Sequence, residues 1–156
     1  MLVLLGDLLY HGPRNNLPGE YDPKIVSALL NEHKEHIIAV RGNCEAEVDQ
    51  MMLEFPCMAD YTYLWLENTP VFVTHAIATT TAACRRWPLR ARSCSTATPT
   101  SLPRNVSTHR YMNPGSTTLP KQGSPQSYML IDGNNVYWKH LTDGTVYMQD
   151  VLNKEE

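Results

Sequence analysis

Three short phrases in this chain end an apolar run on a residue able to bind a metal ion. Leu2-Val3-Leu4-Leu5 runs into Gly6-Asp7, Ile37-Ile38-Ala39-Val40 into Arg41-Gly42-Asn43-Cys44, and Val71-Phe72-Val73 into Thr74-His75. Each reads as a buried strand that delivers one oxygen or nitrogen ligand at its C-terminal end. A carboxylate can bridge two divalent ions, and an amide oxygen and an imidazole can complete one of them. Two such ions about 3.5–4 Å apart hold a phosphate by its oxygens, acidify a bridging water and stabilise developing charge. Gly6 and Gly42 let the backbone turn sharply beneath the ligand, with no Cβ in the way. Taken singly, each residue has an ordinary alternative. Asp7 could cap a turn, Asn43 after Gly42 is a common turn former, and His75 could be a satisfied core histidine. Their joint placement after three apolar runs carries the metal reading, with Asp7, Asn43 and His75 as the ligands. Cys44 is left out of that set, because oxygen and imidazole donors suit Mn²⁺ or Mg²⁺ whereas thiolate suits softer ions.

The elements that must position these residues follow from pattern. Leu2 to Leu5 has the continuous apolar run of a strand buried on both faces. His11 to Gly19 is rich in Gly, Pro and Asn and reads as a loop. Asp22-Pro23 has the form of a helix cap with proline at the first helical position, and Ile25, Val26, Leu29 and Leu30 recur at helical spacing after it. A strand from His36 to Val40 comes next. A short helix from about Glu45 to Leu53 then turns Val48, Met51 and Met52 toward the core. Tyr61 to Leu66 and Pro70 to Thr74 read as neighbouring strands, Tyr128 to Trp138 as a hairpin turned by Gly and Asn, and Thr145 to Val151 as a third antiparallel strand. Strand, helix, strand, helix, strand in that order predicts an α/β sandwich with a partly parallel sheet. Ligands at strand ends then meet at the C-terminal edge of that sheet, where α/β sites generally lie.

Composition sets the frame. At 156 residues, the chain has the length of one domain. With 42% hydrophobic and 19% charged residues and a net charge of -3, nothing in the bulk charge favours nucleic acid or an acidic membrane. No apolar run approaches the roughly 20 residues that span a bilayer, and the N-terminus has neither the basic start nor the apolar core of a signal peptide. A cytoplasmic protein is expected, and a homo-oligomer is compatible with the sequence. The four cysteines, Cys44, Cys57, Cys84 and Cys94, match no zinc-binding spacing and read as free thiols.

One segment differs from the rest. Residues 76–110 contain no Gly, Asp, Glu or Lys, but hold six Arg, seven Thr and six Ala. A basic nucleic-acid-binding insert centred on Arg85 to Arg92 is one reading, and it would show salt-dependent association. Trp87 alone supplies aromatic interleaving, and no helical period persists.

Gly6-Asp7-Leu8-Leu9-Tyr10-His11-Gly12-Pro13-Arg14-Asn15, Arg41-Gly42-Asn43-Cys44-Glu45 and Thr74-His75 together resemble the calcineurin-like metallophosphoesterases, and among them the small bacterial phosphodiesterases. The likeness covers Leu2 to His75 and resumes at Tyr111, where Asn113-Pro114-Gly115-Ser116 resembles the phrase after that family's last metal motif. The resemblance implies a four-layer α/β/β/α sandwich, here truncated, as one incomplete domain over 1–156. It implies hydrolysis of a small phosphodiester by a metal-bound hydroxide at a dinuclear site, with Mn²⁺ the expected ion. Asp7 would bridge both metals, Asn43 and His75 would bind the second, and His11 would line the substrate pocket. Glu45 would occupy the acidic position that follows the asparagine motif. Cys44 stands where many relatives carry a catalytic histidine, which implies weak or specialised chemistry. An alternative in another class is a non-catalytic protein-interaction scaffold of the same fold.

Two elements of the family pattern are missing. A first strand with an Asp-x-His motif would lie upstream of Met1, leaving Leu2 to Leu5 without a neighbour. The Gly-His-x-His motif should fall within 76–110. Loss of one base turns coding for Thr-His-Gly-His into Thr-His-Ala-Ile, as at Thr74-His75-Ala76-Ile77. Coding for Val-Tyr-Gly-His-Thr-His-Ile, read one base later, gives Ser-Thr-Ala-Thr-Pro-Thr-Ser, as at Ser95 to Ser101. An out-of-frame segment over 76–110 is therefore expected, without a pattern able to pack as a strand and helix, and with it a weakly active or inactive product.

Overall fold

The computed structural model describes residues 1–10, 19–75, 91–93 and 110–153. Its elements in chain order are β1 (Leu2–Leu4), α1 (Pro23–Glu32), a 3₁₀ turn (Lys34–His36), β2 (Ile37–Ala39) and α2 (Glu47–Met52), then β3 (Tyr61–Leu66) and β4 (Thr69–Thr74), then β5 (Ala91–Ser93) and β6 (Arg110–Met112), and last β7 (Ser127–Asp132), β8 (Asn135–His140) and β9 (Val146–Val151).

β1 and β2 pair in parallel, Leu2 opposite Ile37 and Leu4 opposite Ala39, and the Val40 N–H extends the ladder by donating to the Leu4 carbonyl at 3.0 Å. A second sheet runs β3-β4-β5-β6. Its β3–β4 hairpin closes through Glu67 and Asn68, at φ +47° and +60°, the left-handed pair that matches the twist of a two-residue hairpin. β5 and β6 then add in parallel to β4. The tail forms an antiparallel meander, β7-β8-β9. Parallel pairing of β1 with β2 and of β4 with β5 and β6 sends the residues after those strands toward C-terminal edges, as the sequence pattern predicts.

Strand alternation sorts the apolar side chains into two packed zones. Val3, Leu5, Val40, Val71, Val73 and Met112 meet Met129, Ile131, Val136, Trp138 and Leu152 of the meander layer. On the opposite side, Leu4, Ile37 and Ala39 pack with Leu8, Leu9, Leu30, Leu53, Phe55, Cys57 and Met58 beneath the helices. The described residues thus give a helix layer, a central strand layer and a second sheet, which is an α/β sandwich.

α1 begins as expected. Asp22 Oδ1 accepts the Lys24 and Ile25 N–H groups at 3.0 and 3.1 Å, with Pro23 at the first helical position.

Four expectations need correction. Leu2 is 46% exposed and Val3 to Leu5 only half-buried, so β1 is not buried on both faces. Nor does it lack a neighbour, since β2 occupies one edge. Val48, Met51 and Met52 do not face the core, being 59%, 84% and 46% exposed. The inward side of α2 is polar instead. Gln50 donates to the Leu53 and Phe55 carbonyls and accepts from the Cys57 N–H at 3.0–3.1 Å, so hydrogen bonding fixes the helix face. Last, the arginine-rich segment does supply a strand, β5, which bridges β4 and β6 in parallel. Backbone pairing needs no side-chain pattern when two neighbours already offer open edges. No helix among the described residues is long and apolar enough to cross a membrane.

Candidate functional site

Gly6 and Gly42 stand where two chain turns touch. Gly6 is at φ +89°, and a Cβ built on it would lie 2.2 Å from the Gly42 nitrogen. A Cβ on Gly42 would lie 2.3 Å from Asp7 Oδ1 and 2.6 Å from the Asp7 nitrogen. Only glycine at both positions allows the ends of β1 and β2 to close to backbone contact. Asp7 itself sits at φ +56°, a conformation that short polar side chains tolerate better than others and that carries some strain.

From that junction the three expected ligands converge. His75, 2% exposed at the end of β4, places Nδ1 2.5 Å from the Leu5 carbonyl. A carbonyl only accepts, so Nδ1 carries the proton, and Nε2 presents a lone pair in the neutral ring. That Nε2 lies 3.1 Å from Asn43 Oδ1 and 3.6 Å from Asp7 Oδ2. Asn43 turns its oxygen inward because its Nδ2 donates to Cys44 Sγ at 3.2 Å. Asp7 uses Oδ1 to accept the Cys44 N–H at 3.0 Å, and its Oδ2 faces the imidazole. Carboxylate oxygen, amide oxygen and imidazole nitrogen therefore point at one spot from three separate strand ends.

The donor set fits a divalent cation. Ligands about 2 Å from one ion and roughly at right angles stand about 3 Å apart, close to the separations seen. The set mixes hard oxygens with one borderline nitrogen, which suits Mn²⁺ or Mg²⁺ as well as Zn²⁺. Among the described residues no three His, Cys, Asp or Glu side chains gather at a point, and it is the Asn43 amide that makes the third donor.

Glu45 was visible in sequence only as an acidic residue after the asparagine phrase. It proves to be buried at 8% exposure, with Oε1 accepting the Leu8 N–H at 2.6 Å and Oε2 the Gly42 N–H at 2.5 Å. Cys57 lies behind it, fully buried. Burial pushes the Cys57 thiol up, and the charges of Glu45 and Asp49 add to that. Cys44 is half-buried at the rim, with its backbone N–H committed to Asp7. His11, expected to line the substrate pocket, lies outside the described residues, as do Cys84, Cys94 and the stretch from Ser95 to Ser101. A cleft of about 250 Å³ lined by Leu9, Tyr21, Pro23, Lys24, Asp49 and Met52 lies beside the helices and includes none of the three converging side chains.

The phrase Asn113-Pro114-Gly115-Ser116 follows β6 as a tight turn. Asn113 Oδ1 accepts the Gly115 N–H at 2.9 Å, Ser127 Oγ donates to the Pro114 carbonyl at 2.9 Å, and Trp138 Nε1 donates to the Asn113 carbonyl at 2.6 Å. The turn anchors the β7-β8-β9 meander to the sheet whose β4 leads into His75.

No protein-family model matches the chain. Phosphodiesterase YfcE of Escherichia coli K12 is 40% identical over 157 residues, covering 97% of this chain and 83% of the relative, and the O157:H7 protein of the same name gives the same figures. The solved structure of YfcE, a phosphoesterase from E. coli, superposes with a TM-score of 0.78 at 34% identity, over 97% of this chain and 83% of the other. The fold is that of a metallophosphoesterase. The chain belongs to the YfcE phosphodiesterase family, and is a phosphodiesterase by family.

Proposed function

We propose that this chain is a metal-dependent phosphodiester hydrolase in which Asp7, Asn43 and His75 hold one divalent ion, with Mn²⁺ the favoured occupant. The observation that carries it is the convergence of Asp7 Oδ2 and Asn43 Oδ1 on His75 Nε2. Such an ion supplies positive charge against phosphoryl oxygens and a lower pKa for water at the site. The protein's part is to hold these donors rigid. The Leu5 carbonyl fixes the imidazole tautomer and the Cys44 N–H holds the Asp7 carboxylate, the kind of support that sustains ligand geometry. The substrate would be a small phosphodiester.

Activity is proposed to be weak. His109 is the only histidine in residues 76–110, so the segment has no pair of imidazoles to serve a second ion, and Cys44 gives a thiol at the position where the family resemblance implies a histidine in many members. We attribute the composition of 76–110 to translation out of frame within a single domain. Reading the locus decides that point. An alternative frame encoding Gly-His-Thr-His between codons 76 and 110 is expected, and its absence would sink the attribution.

Activity is tested with the full chain, Mn²⁺ and an aryl phosphodiester. Slow turnover that stops on chelation and in His75→Ala and Asp7→Asn is expected. Turnover indifferent to chelator, or surviving both substitutions, overturns the proposal. A second reading, an interaction scaffold of the same fold, draws on the apolar surface that α1 and α2 present through Ile25, Leu29, Val48 and Met51, all more than half exposed. It predicts normal folding with no metal-dependent turnover.

A further inference from the structure

Two carboxylates cross between the same two turns in opposite directions. Asp7, on the turn after β1, accepts the N–H of Cys44 on the turn after β2. Glu45, beyond the second turn, accepts the N–H of Leu8 on the first and of Gly42 on its own. Leu8 adjoins Asp7, and Gly42 adjoins Asn43. Each bond therefore fixes the backbone immediately beside an expected ligand. A carboxylate buried to 8% exposure is costly unless its oxygens are matched by donors, and here each oxygen receives a backbone N–H, the charge-assisted kind of bond that is stronger than a neutral one. Gly42 makes room for it, since a Cβ there would come within 2.9 Å of Glu45 Oε2. Cys57 packs nearby, and burial, with the Glu45 charge behind it, pushes its thiol up.

We infer that Glu45 is a positioning residue. Its buried carboxylate fastens the turn bearing Asp7 to the turn bearing Asn43, and so sets the separation at which their oxygens meet His75. The inference rests on the metal reading above for its consequence, but the fastening is a property of the chain alone. A glutamine at this position keeps the shape and loses half of the function. Its amide nitrogen must face either Leu8 or Gly42, donor against donor, and the turn on that side is released.

The experiment uses the full chain, its Glu45→Gln and Glu45→Asp variants, and Glu47→Gln as the charge control. Glu47 is exposed at the start of α2, two residues on, and its loss removes the same charge. Amide hydrogen exchange without metal is read at Leu8 and Gly42, with Val73 and Val136 reporting on the core. Mn²⁺ binding is read by calorimetry. Faster exchange at Leu8 or Gly42 with unchanged Val73 and Val136 is expected for Glu45→Gln, together with Mn²⁺ affinity lower by about 10–100-fold, the usual effect of losing an outer-shell support. Glu47→Gln should match the wild type in both. Wild-type exchange at Leu8 and Gly42 in Glu45→Gln overturns the fastening. Normal Mn²⁺ affinity in that variant overturns its consequence for the ligands. Where Glu45→Gln fails to fold, Glu45→Asp, which keeps the charge but is too short to reach both turns, is judged by the same two criteria. Failure of the wild type to bind Mn²⁺ overturns the metal reading, and exchange then decides the fastening by itself.

Discussion

At the strand tips His75 is 2% exposed and locked by contacts to β1 and to the turn after β2, whereas on the helices Ile25 is 59% and Met51 84% exposed. Both regions announce themselves in the sequence as apolar residues at regular spacing. The tips came out as expected because chain direction, glycine and a few backbone hydrogen bonds fix where a strand ends, and all of these are local. A helix face is different. Periodicity says that one side of a helix is apolar, but a partner surface has to exist for that side to be buried. α2 takes its orientation from the Gln50 amide instead.

The contrast breaks if removing support from beneath the tips costs no more than altering the helices. Its largest test is Trp138→Ala. The ring is 4% exposed in the zone that also holds Val40, Val71 and Val73, and its Nε1 holds the Asn113 carbonyl. A loss of about 3–5 kcal/mol is expected, read as a lower urea midpoint at unchanged slope. A loss under about 1 kcal/mol would mean that the two sheets do not share one core.

Gly6→Ala comes next, at about 2–4 kcal/mol, combining a left-handed backbone with a methyl driven into the Gly42 backbone. Gly133→Ala separates the two causes. Gly133 turns the β7–β8 hairpin at φ +55° with nothing within 4 Å of a built Cβ, so only the conformational cost of about 1–2 kcal/mol remains. Equal losses at the two glycines would show that the close approach at the strand tips contributes nothing.

The convergence of the three candidate ligands was legible because they sit directly after apolar runs, where a strand must stop and turn. The α/β order, the Asp22-Pro23 cap and the tail meander were legible for the same reason, each resting on a signal a few residues long. What could not be read was anything that joins distant segments. Glu45 reaching back to Leu8 spans 37 residues, and no pattern in the sequence marks an acid that will be buried by two backbone donors. β5 was missed because no pattern in the sequence marks its pairing with β4 and β6. The apolar run at Leu2 suggests burial, but burial on both faces requires a packed layer against each face, and Leu2 stays 46% exposed.

The finest test compares adjacent residues on α2. Gln50→Ala removes an amide that satisfies the Leu53 and Phe55 carbonyls and the Cys57 N–H, and should cost about 1–3 kcal/mol. Met51→Lys, one residue on, should fall within about 0.5 kcal/mol of the wild type, since an 84% exposed side chain loses little by becoming charged. Thermal melts of the two variants at one pH read the difference. A large loss in Met51→Lys would mean that a surface covers this face in solution, and the exposed helix side would then be the inner face of an interface. A small loss in both would leave α2 held by neither its polar nor its apolar side, and the two turns beneath it would have to rest on Glu45 and the paired glycines alone.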